Sequence, residues 1–523
     1  MEIQTRIKNH FSRHALLYFV FGATVLFALC AHAYRFFTLD FSHDSMLIFE
    51  GPDSPWQISL GRYAQPLYRE IRGDLTVPFL LCLLSLIWLA LANYVVVSLL
   101  ELRSLRHIAL LCGILSTNAV MTFSFATYLP WVDVYMLAYL LAALAAWLTV
   151  RYRFGFAAAW IPITLSLALY QSYFNVAVFL LMIIFVKHVL DGFETKQLLI
   201  RIAKYFGALL GGLILYYIVL QLVLIGTSSV LTDFYNGISK VGDYGDVSIP
   251  RLLAKTYAYP ILYMLFPETY HPRASVLVEI FVLLTAIAAL VRTVQVKKTA
   301  KLPRLLLALC ILAMPFGMDL VYFISKGMQH SLMVFSFFLL YPFAFMLWEY
   351  HSRLPQANLP QRISEAAKRI RALFPAVSAC LLLLVIVFNT VFANQVYLKK
   401  SLEYQATMSF MNKLTYSIEQ TDGYVPGVTP VMILGSFETS SLFAEREGFQ
   451  QLNKGVGLDR RSAVTFSISF HQFFNSVLSY RINLMDLNYA YIYAGLPEVQ
   501  AMPVYPAKGS CQIVGGVLIA KLS

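Results

Sequence analysis

Charge is what this chain of 523 residues has least of: Asp, Glu, Lys and Arg make up 13% of it, against 59% hydrophobic residues. A single core of that size in water would need a polar surface that the composition does not supply, so one soluble globular fold is excluded. Paired cysteines are also missing. Cys30, Cys82, Cys112, Cys310 and Cys380 lie in apolar runs and Cys511 stands by itself in the tail, which leaves no disulfide framework and no zinc spacing. There is no clear internal repeat, no P-loop and no dinucleotide-binding glycine fingerprint, so no nucleotide site is expected. The net charge of +12 does not imply nucleic acid, because more than half of the Lys and Arg fall in short loops between apolar runs.

Those runs are about twenty residues long, the length that crosses the hydrocarbon core of a bilayer as a helix. They lie near 15–35, 77–100, 108–125, 132–150, 156–171, 174–190, 205–226, 276–293, 304–324, 331–349 and 374–393. The expected fold is therefore a polytopic α-helical membrane protein of about eleven spans. Arg6, Lys8 and Arg13 precede the first run, and alternation then places Arg103/Arg106, Arg151/Arg153, Lys187 to Lys204, Arg292 to Arg304 and Arg353 to Arg371 on one side. Basic loops mark the cytoplasmic side. The N-terminus is expected inside, the first run is expected to be retained rather than cleaved, and the outer side receives loops 36–76 and 227–275, the corners FATYLPW and YQSYF, and the tail.

The outer segment 40–74, DFSHDSMLIFEGPDSPWQISLGRYAQPLYREIRGD, gathers acids and arginines that a lipid-facing core would reject. Read as a helix, its second half puts Trp56, Leu60, Tyr63, Leu67 and Ile71 on one face and Arg62, Gln65, Arg69 and Arg72 on the other. Such a helix would lie flat in the interface, its apolar side in lipid or against the bundle. Gly61 and Pro66 weaken it and favour a break near Arg62. Before it stand Asp40, Asp44, Glu50 and Asp53, with Asp44 directly after His43. A carboxylate beside a membrane and beside arginines suits chemistry on a lipid-linked anionic substrate: the carboxylate takes a proton from an attacking hydroxyl and a guanidinium neutralises a phosphate.

Other outer groups carry two readings each. Tyr170 and Gln171 would hold sugar hydroxyls or serve as interfacial aromatic and helix cap. Lys326 and His330, in ISKGMQHS, suit a phosphate, while a snorkelling lysine would look the same. Asp133 fits the positive end of a helix dipole. The glycine-containing loop with Asp243, Tyr244, Asp246 and Arg251 would close over substrate, and its acids lack calcium spacing. From Tyr397 the tail alternates an amphipathic helix, a turn and strands around PVMILG and GGVLIAKL, which suggests a small α/β domain without a GxSxG nucleophile.

An Asp after the first span, then W-x4-GR (Trp56, Gly61, Arg62) and L-x-L-Y-Q-S-Y (Leu167, Leu169, Tyr170, Gln171, Ser172, Tyr173), together resemble the Gtr-type O-antigen glucosyltransferases of bacterial serotype conversion. The resemblance implies a GT-C-like fold in the bacterial inner membrane. It also implies transfer of a sugar, glucose in that family, from undecaprenyl phosphate to a lipid-linked or lipid A-linked polysaccharide on the periplasmic face. The chain departs from the family where an adjacent Asp pair is expected and His43-Asp44 stands instead. On this reading Asp44 is the base with Asp40 as rival second carboxylate. Arg62, Lys326 and His330 meet the donor phosphate, and His43, Trp56, Tyr170 and Gln171 line the substrate. One carboxylate in the bond-forming step implies inversion. No metal ligands are assigned and a divalent cation is left open. The expected division is a membrane domain, 1–395, and a soluble periplasmic domain, 396–523. A polysaccharide polymerase would share this pattern; a transporter or flippase would carry more ionisable residues in mid-span.

Overall fold

The computed structural model describes residues 14–50, 54–233, 239, 244–245, 247–266, 273–354, 365–437, 448–452, 457–459, 461–465 and 467–523. Asp53, Asp243 and Asp246 lie outside the described residues. Lipid offers no hydrogen-bond partner, so apolar runs must satisfy their backbone internally and coil into helices. α1 (Ala15–Phe37) leads to two short outer helices, α2 (Ser54–Ser59) and α3 (Ala64–Arg72), and then to α4 (Pro78–Leu100), which starts on a proline where no N–H is needed. The next crossing is broken at Asn118 into α5 (Leu105–Thr117) and α6 (Ala119–Ala126), and the Asn118 side chain caps the second half by accepting from the Met121 N–H. There follow α7 (Val132–Arg151), α8 (Trp160–Leu169), α9 (Phe174–Leu190), α10 (Thr195–Thr227), α11 (Ile249–Leu265), α12 (Arg273–Val296), α13 (Lys301–Met318), α14 (Leu320–Ile324), α15 (Leu340–Ser352) and α16 (Glu365–Glu419).

Among the described residues, 10 helical stretches are long and apolar enough to cross a membrane. The protein is thus a multi-pass helical membrane protein. The run expected at 156–171 forms a shorter apolar helix, Gly155–Leu169. The run at 304–324 is interrupted at Asp319, between α13 and α14. In the outer loop 227–275, whose glycine-containing part is expected to close over substrate, α11 forms and buries Leu252, Thr256, Pro260 and Tyr263. The tail's first helix is the continuation of the last span: residue 395 falls inside α16, which runs unbroken to Glu419. Beyond it the strands β1 (Pro430–Leu434), β2 (Asn483–Leu484), β3 (Cys511–Val514) and β4 (Val517–Lys521) form one sheet in the order β2-β1-β4-β3. β1 runs parallel to β2 and β4, while β3 and β4 pair antiparallel. The core of the tail, with Phe410, Leu414, Val431, Ile433, Phe437 and Leu518, also takes in Met46 from the outer loop after α1.

The segment read as one interfacial helix is two helices with a break at residues 60–63, as Gly61 and Pro66 required. Its apolar face, Leu67 (61% exposed) and Ile71 (80%), points out of the protein, and its polar face points in. Gln65 Nε2 donates to the Leu169 carbonyl at 2.6 Å, and Arg69 Nε donates to Asp74 Oδ1 at 2.8 Å. Arg72 Nη1 lies 2.8 Å from Asp133 Oδ1 and also donates to the Pro130 carbonyl. Asp133 takes a second bond from Tyr68 Oη at 3.0 Å, and Tyr68 accepts in turn from Trp88 Nε1. Asp133 is thus the fully buried counter-charge that holds α3 onto the bundle, beyond the dipole role its helix-start position suggested. Removing one partner of a buried ion pair strands the other charge, at a cost of about 3–5 kcal/mol. Asp133→Ala should therefore lower the thermal midpoint in detergent strongly, and the double variant Asp133→Leu/Arg72→Met should recover most of the loss. Equal midpoints for Asp133→Ala and wild type would refute the pairing.

Candidate active site

The loop after α1 is fixed from below by an arginine. Arg35, 1% exposed, donates from Nε to the Phe125 carbonyl, from Nη1 to Thr38 Oγ1 and from Nη2 to the Asp40 carbonyl, at 3.0–3.1 Å. A span-end arginine reads from sequence as an interfacial anchor; only its burial reveals it as the support of the loop. Next comes a reciprocal serine turn: the Ser42 N–H donates to Ser45 Oγ, the Ser45 N–H to Ser42 Oγ, and Ser42 Oγ to the Thr127 carbonyl at 2.9 Å. This turn presents His43 and Asp44, whose Nε2 and Oδ2 lie 3.4 Å apart. Asp40 faces elsewhere: its carboxylate accepts from Tyr34 Oη at 3.0 Å.

The tail reaches the same place. Gly457 has φ +66°, and a Cβ there would lie 2.9 Å from His43 Cε1 and 2.8 Å from Thr127 Cγ2, so only glycine can approach this closely. Lys400 Nζ donates to the Gly457 carbonyl and Lys399 Nζ to the Leu458 carbonyl, and both ammonium groups pair with Glu403. Helix α16 thereby holds the tail against the His43 turn.

Arg62 sits at the break between α2 and α3, where irregular backbone must be satisfied by side chains. Gln171 Nε2 donates to the Leu60 carbonyl and Tyr216 Oη to the Gly61 carbonyl, both at 2.8 Å. The Arg62 guanidinium lies 4.8 Å above the Tyr170 ring and its Nε reaches Gln171 Oε1 at 3.4 Å. Tyr170 packs on Tyr135, ring centroids 4.7 Å apart, and Tyr135 is within electrostatic reach of both Arg62 and Asp44. Among the described residues no carboxylate pairs with Arg62, whereas Arg69 and Arg72 are both neutralised. An arginine stacked on an aromatic, with its charge unspent, suits a phosphate oxygen.

The structure thus brings Arg62, Tyr170 and Gln171 together and joins His43 to Asp44. His330 enters through Tyr128, whose hydroxyl is 3.1 Å from His330 Nε2, next to Thr127 that anchors Ser42. Lys326 occupies the same outer turn with φ +55° and is half-buried. Trp56 keeps 38% of its surface exposed on α2. Sequence reasoning missed Arg35, Tyr128, Tyr135 and Tyr216. Tyr128 lies in the corner FATYLPW and Tyr135 just past it, where a helix ends and its carbonyls need donors, whereas Arg35 at the end of α1 and Tyr216 within α10 carry no such signal.

Burial, together with the nearby Arg62 charge, pushes the His330 imidazole down from 6.5 to about 4. At neutral pH it therefore offers a hydrogen bond and no charge. Because the unfolded imidazole titrates near 6.5, the unfolded state binds more protons between pH 6.5 and 4, so this contribution to stability is complete above pH 6.5 and lost as pH falls toward 4. His330→Gln should flatten the decline in thermal midpoint over that window; an unchanged pH profile would show that His330 is not the group titrating.

Among the described residues no cluster of three or more His, Cys, Asp or Glu is arranged to hold a metal ion. A family model described as Glucosyl transferase GtrII matches residues 33–347, which takes in the His43 turn, Arg62, both corners and His330. No curated protein and no solved structure gives a significant match. A match over more than half of the 523 residues, carried by the segment that holds these groups, means that the chain belongs to the GtrII glucosyl transferase family.

Proposed function

We propose that this glucosyltransferase uses a polyprenyl-phosphate-linked sugar, undecaprenyl-phosphate glucose in the family it resembles, and glycosylates a lipid-linked surface polysaccharide. The observation that carries the reading is the Arg62 guanidinium, unpaired with any described carboxylate and stacked on Tyr170, whose ring packs in turn on Tyr135. Asp44 accepts the proton as the acceptor hydroxyl oxygen attacks the anomeric carbon. The bond from that carbon to the phosphate oxygen breaks with its electrons on the leaving polyprenyl phosphate, whose charge Arg62 stabilises. Lys326 stands as a second cation in the outer turn, while His330, neutral, donates or accepts a hydrogen bond. A single displacement inverts the configuration. Tyr170, Gln171, His43 and Trp56 line the sugar, and residues 396–523 form the outer domain that covers the acceptor side.

Orientation rests on the basic loops, which put Asp44 and the tail on the periplasmic side of the inner membrane. A reporter active only in the periplasm should work when fused after residue 395 and fail near residue 298; the reverse would place Asp44 in the cytoplasm and end the lipid-linked mechanism.

Asp44→Asn keeps the shape and removes the proton acceptor, so transfer from a polyprenyl-phosphate glucose donor should fall about a hundredfold to ten-thousandfold with donor binding intact. Asp40→Asn is the control and should cost less. Loss confined to Asp40→Asn would move the base there, and transfer by Asp44→Asn within a few-fold of wild type would remove Asp44 from the chemistry. Arg62→Lys should weaken donor use and Arg62→Ala weaken it more, with the thermal midpoint unchanged. Arg69→Ala and Arg72→Ala should lower the midpoint itself, because their charges hold α3 in place.

A further inference from the structure

At the opposite end of the bundle, where the basic loops gather, lies a cavity of about 360 Å³ between the end of α7 and the first turns of α10. Arg151, Arg153, Arg201 and Lys204 line it, with Tyr152 and Tyr205, and no acid is among its lining residues. The acids that flank the lining residue Phe193 in the chain are spent elsewhere: Asp191 pairs with Lys187 at 3.0 Å and bonds Tyr350, and Glu194 caps its own helix. The cations are held apart rather than neutralised. Arg201 stacks on the Phe193 ring at 4.6 Å, and Lys204 Nζ donates to the Arg153 carbonyl at 3.1 Å. Four like charges around one hollow repel each other, and an anion there would remove that cost.

The surroundings decide which anion. Tyr152 and Ile200 line the hollow with 54% and 49% of their surfaces exposed, and Phe154 and Phe206, next in the chain to the lining residues Arg153 and Tyr205, are 68% and 69% exposed; exposed apolar side chains at the end of a membrane span face acyl chains or their headgroup boundary. A soluble phosphate needs no such wall. We infer that this cavity binds the phosphate headgroup of an anionic phospholipid of the leaflet that the basic loops face, with Arg151, Arg153, Arg201 and Lys204 as its charge partners and the flanking aromatics against its acyl chains. The site is separate from Asp44 and Arg62 and does not depend on the transfer reaction.

The test is lipid retention by the full-length protein, taken from bilayers of equal phosphatidylglycerol and phosphatidylcholine into detergent and weighed by native mass spectrometry. Wild type should keep phosphatidylglycerol over phosphatidylcholine by about tenfold, and Arg151→Gln/Arg201→Gln should abolish the preference. Arg151→Lys/Arg201→Lys, which keeps the charge, should retain most of it and guards against a variant that merely misfolds. Lys298→Gln/Lys301→Gln, exposed cations on the same side, should leave it unchanged. Equal retention of the two lipids by wild type would overturn the inference, as would loss of preference from the Lys298/Lys301 variant. A thermal shift with inorganic phosphate that matches the one with phosphatidylglycerol would assign the cavity to a soluble anion and overturn the lipid.

Discussion

The outer half of this protein depends on the buried pair of Arg72 with Asp133. A helix with two arginines among nine residues cannot enter a membrane protein polar side first unless each charge finds a partner there, because an unpaired ion out of water is costly. Arg72 finds Asp133, Arg69 finds Asp74, and Gln65 finds a helix-end carbonyl. With those three spent, α3 is locked polar side down and Leu67 and Ile71 are turned outward. The break before α3 is then a fixed point and not a hinge, and Arg62 is the one arginine of the segment that this locking does not consume.

The two corners do for the backbone what the ion pair does for charge. At YQSYF, Gln171 and Tyr216 satisfy the carbonyls of the Leu60-Gly61 break, and at FATYLPW, Arg35 and Ser42 use the carbonyls of Phe125 and Thr127. Irregular chain near the bilayer survives where protein groups replace water. Each corner therefore places one element of the candidate site: the first positions Arg62 on Tyr170, the second positions the His43-Asp44 turn.

Much of this architecture is written in local sequence. Apolar runs of bilayer length, basic loops and the Gly61/Pro66 break are properties of neighbours in the chain, and the helices and the interrupted α2-α3 segment follow from them. The pairing of Arg72 with Asp133 is not legible in that way, since 61 residues separate the two and a first-turn acid already has a local explanation in the helix dipole. The same holds for Arg35, which looks like a snorkelling span end until Phe125 is known to lie against it. Met46 reads as lipid-facing or loop, and is buried only because the tail folds over it. Asp44, Arg62, Tyr170 and Gln171 are legible as candidates from chemistry; that Arg62 stacks on Tyr170 beside Gln171, and that Asp44 meets His43, needed three dimensions.

Helix α16 runs 55 residues without interruption, about 80 Å at 1.5 Å per residue, far more than one bilayer. It is a rigid rod anchored in the membrane at one end that carries Lys399, Lys400 and the Gly457 contact toward its other. Because Lys399 and Lys400 stand on that same unbroken helix and hold the Gly457-Leu458 carbonyls, no linker separates the last span from the contact with the His43 turn, and the tail is an extension of the membrane domain rather than a tethered module.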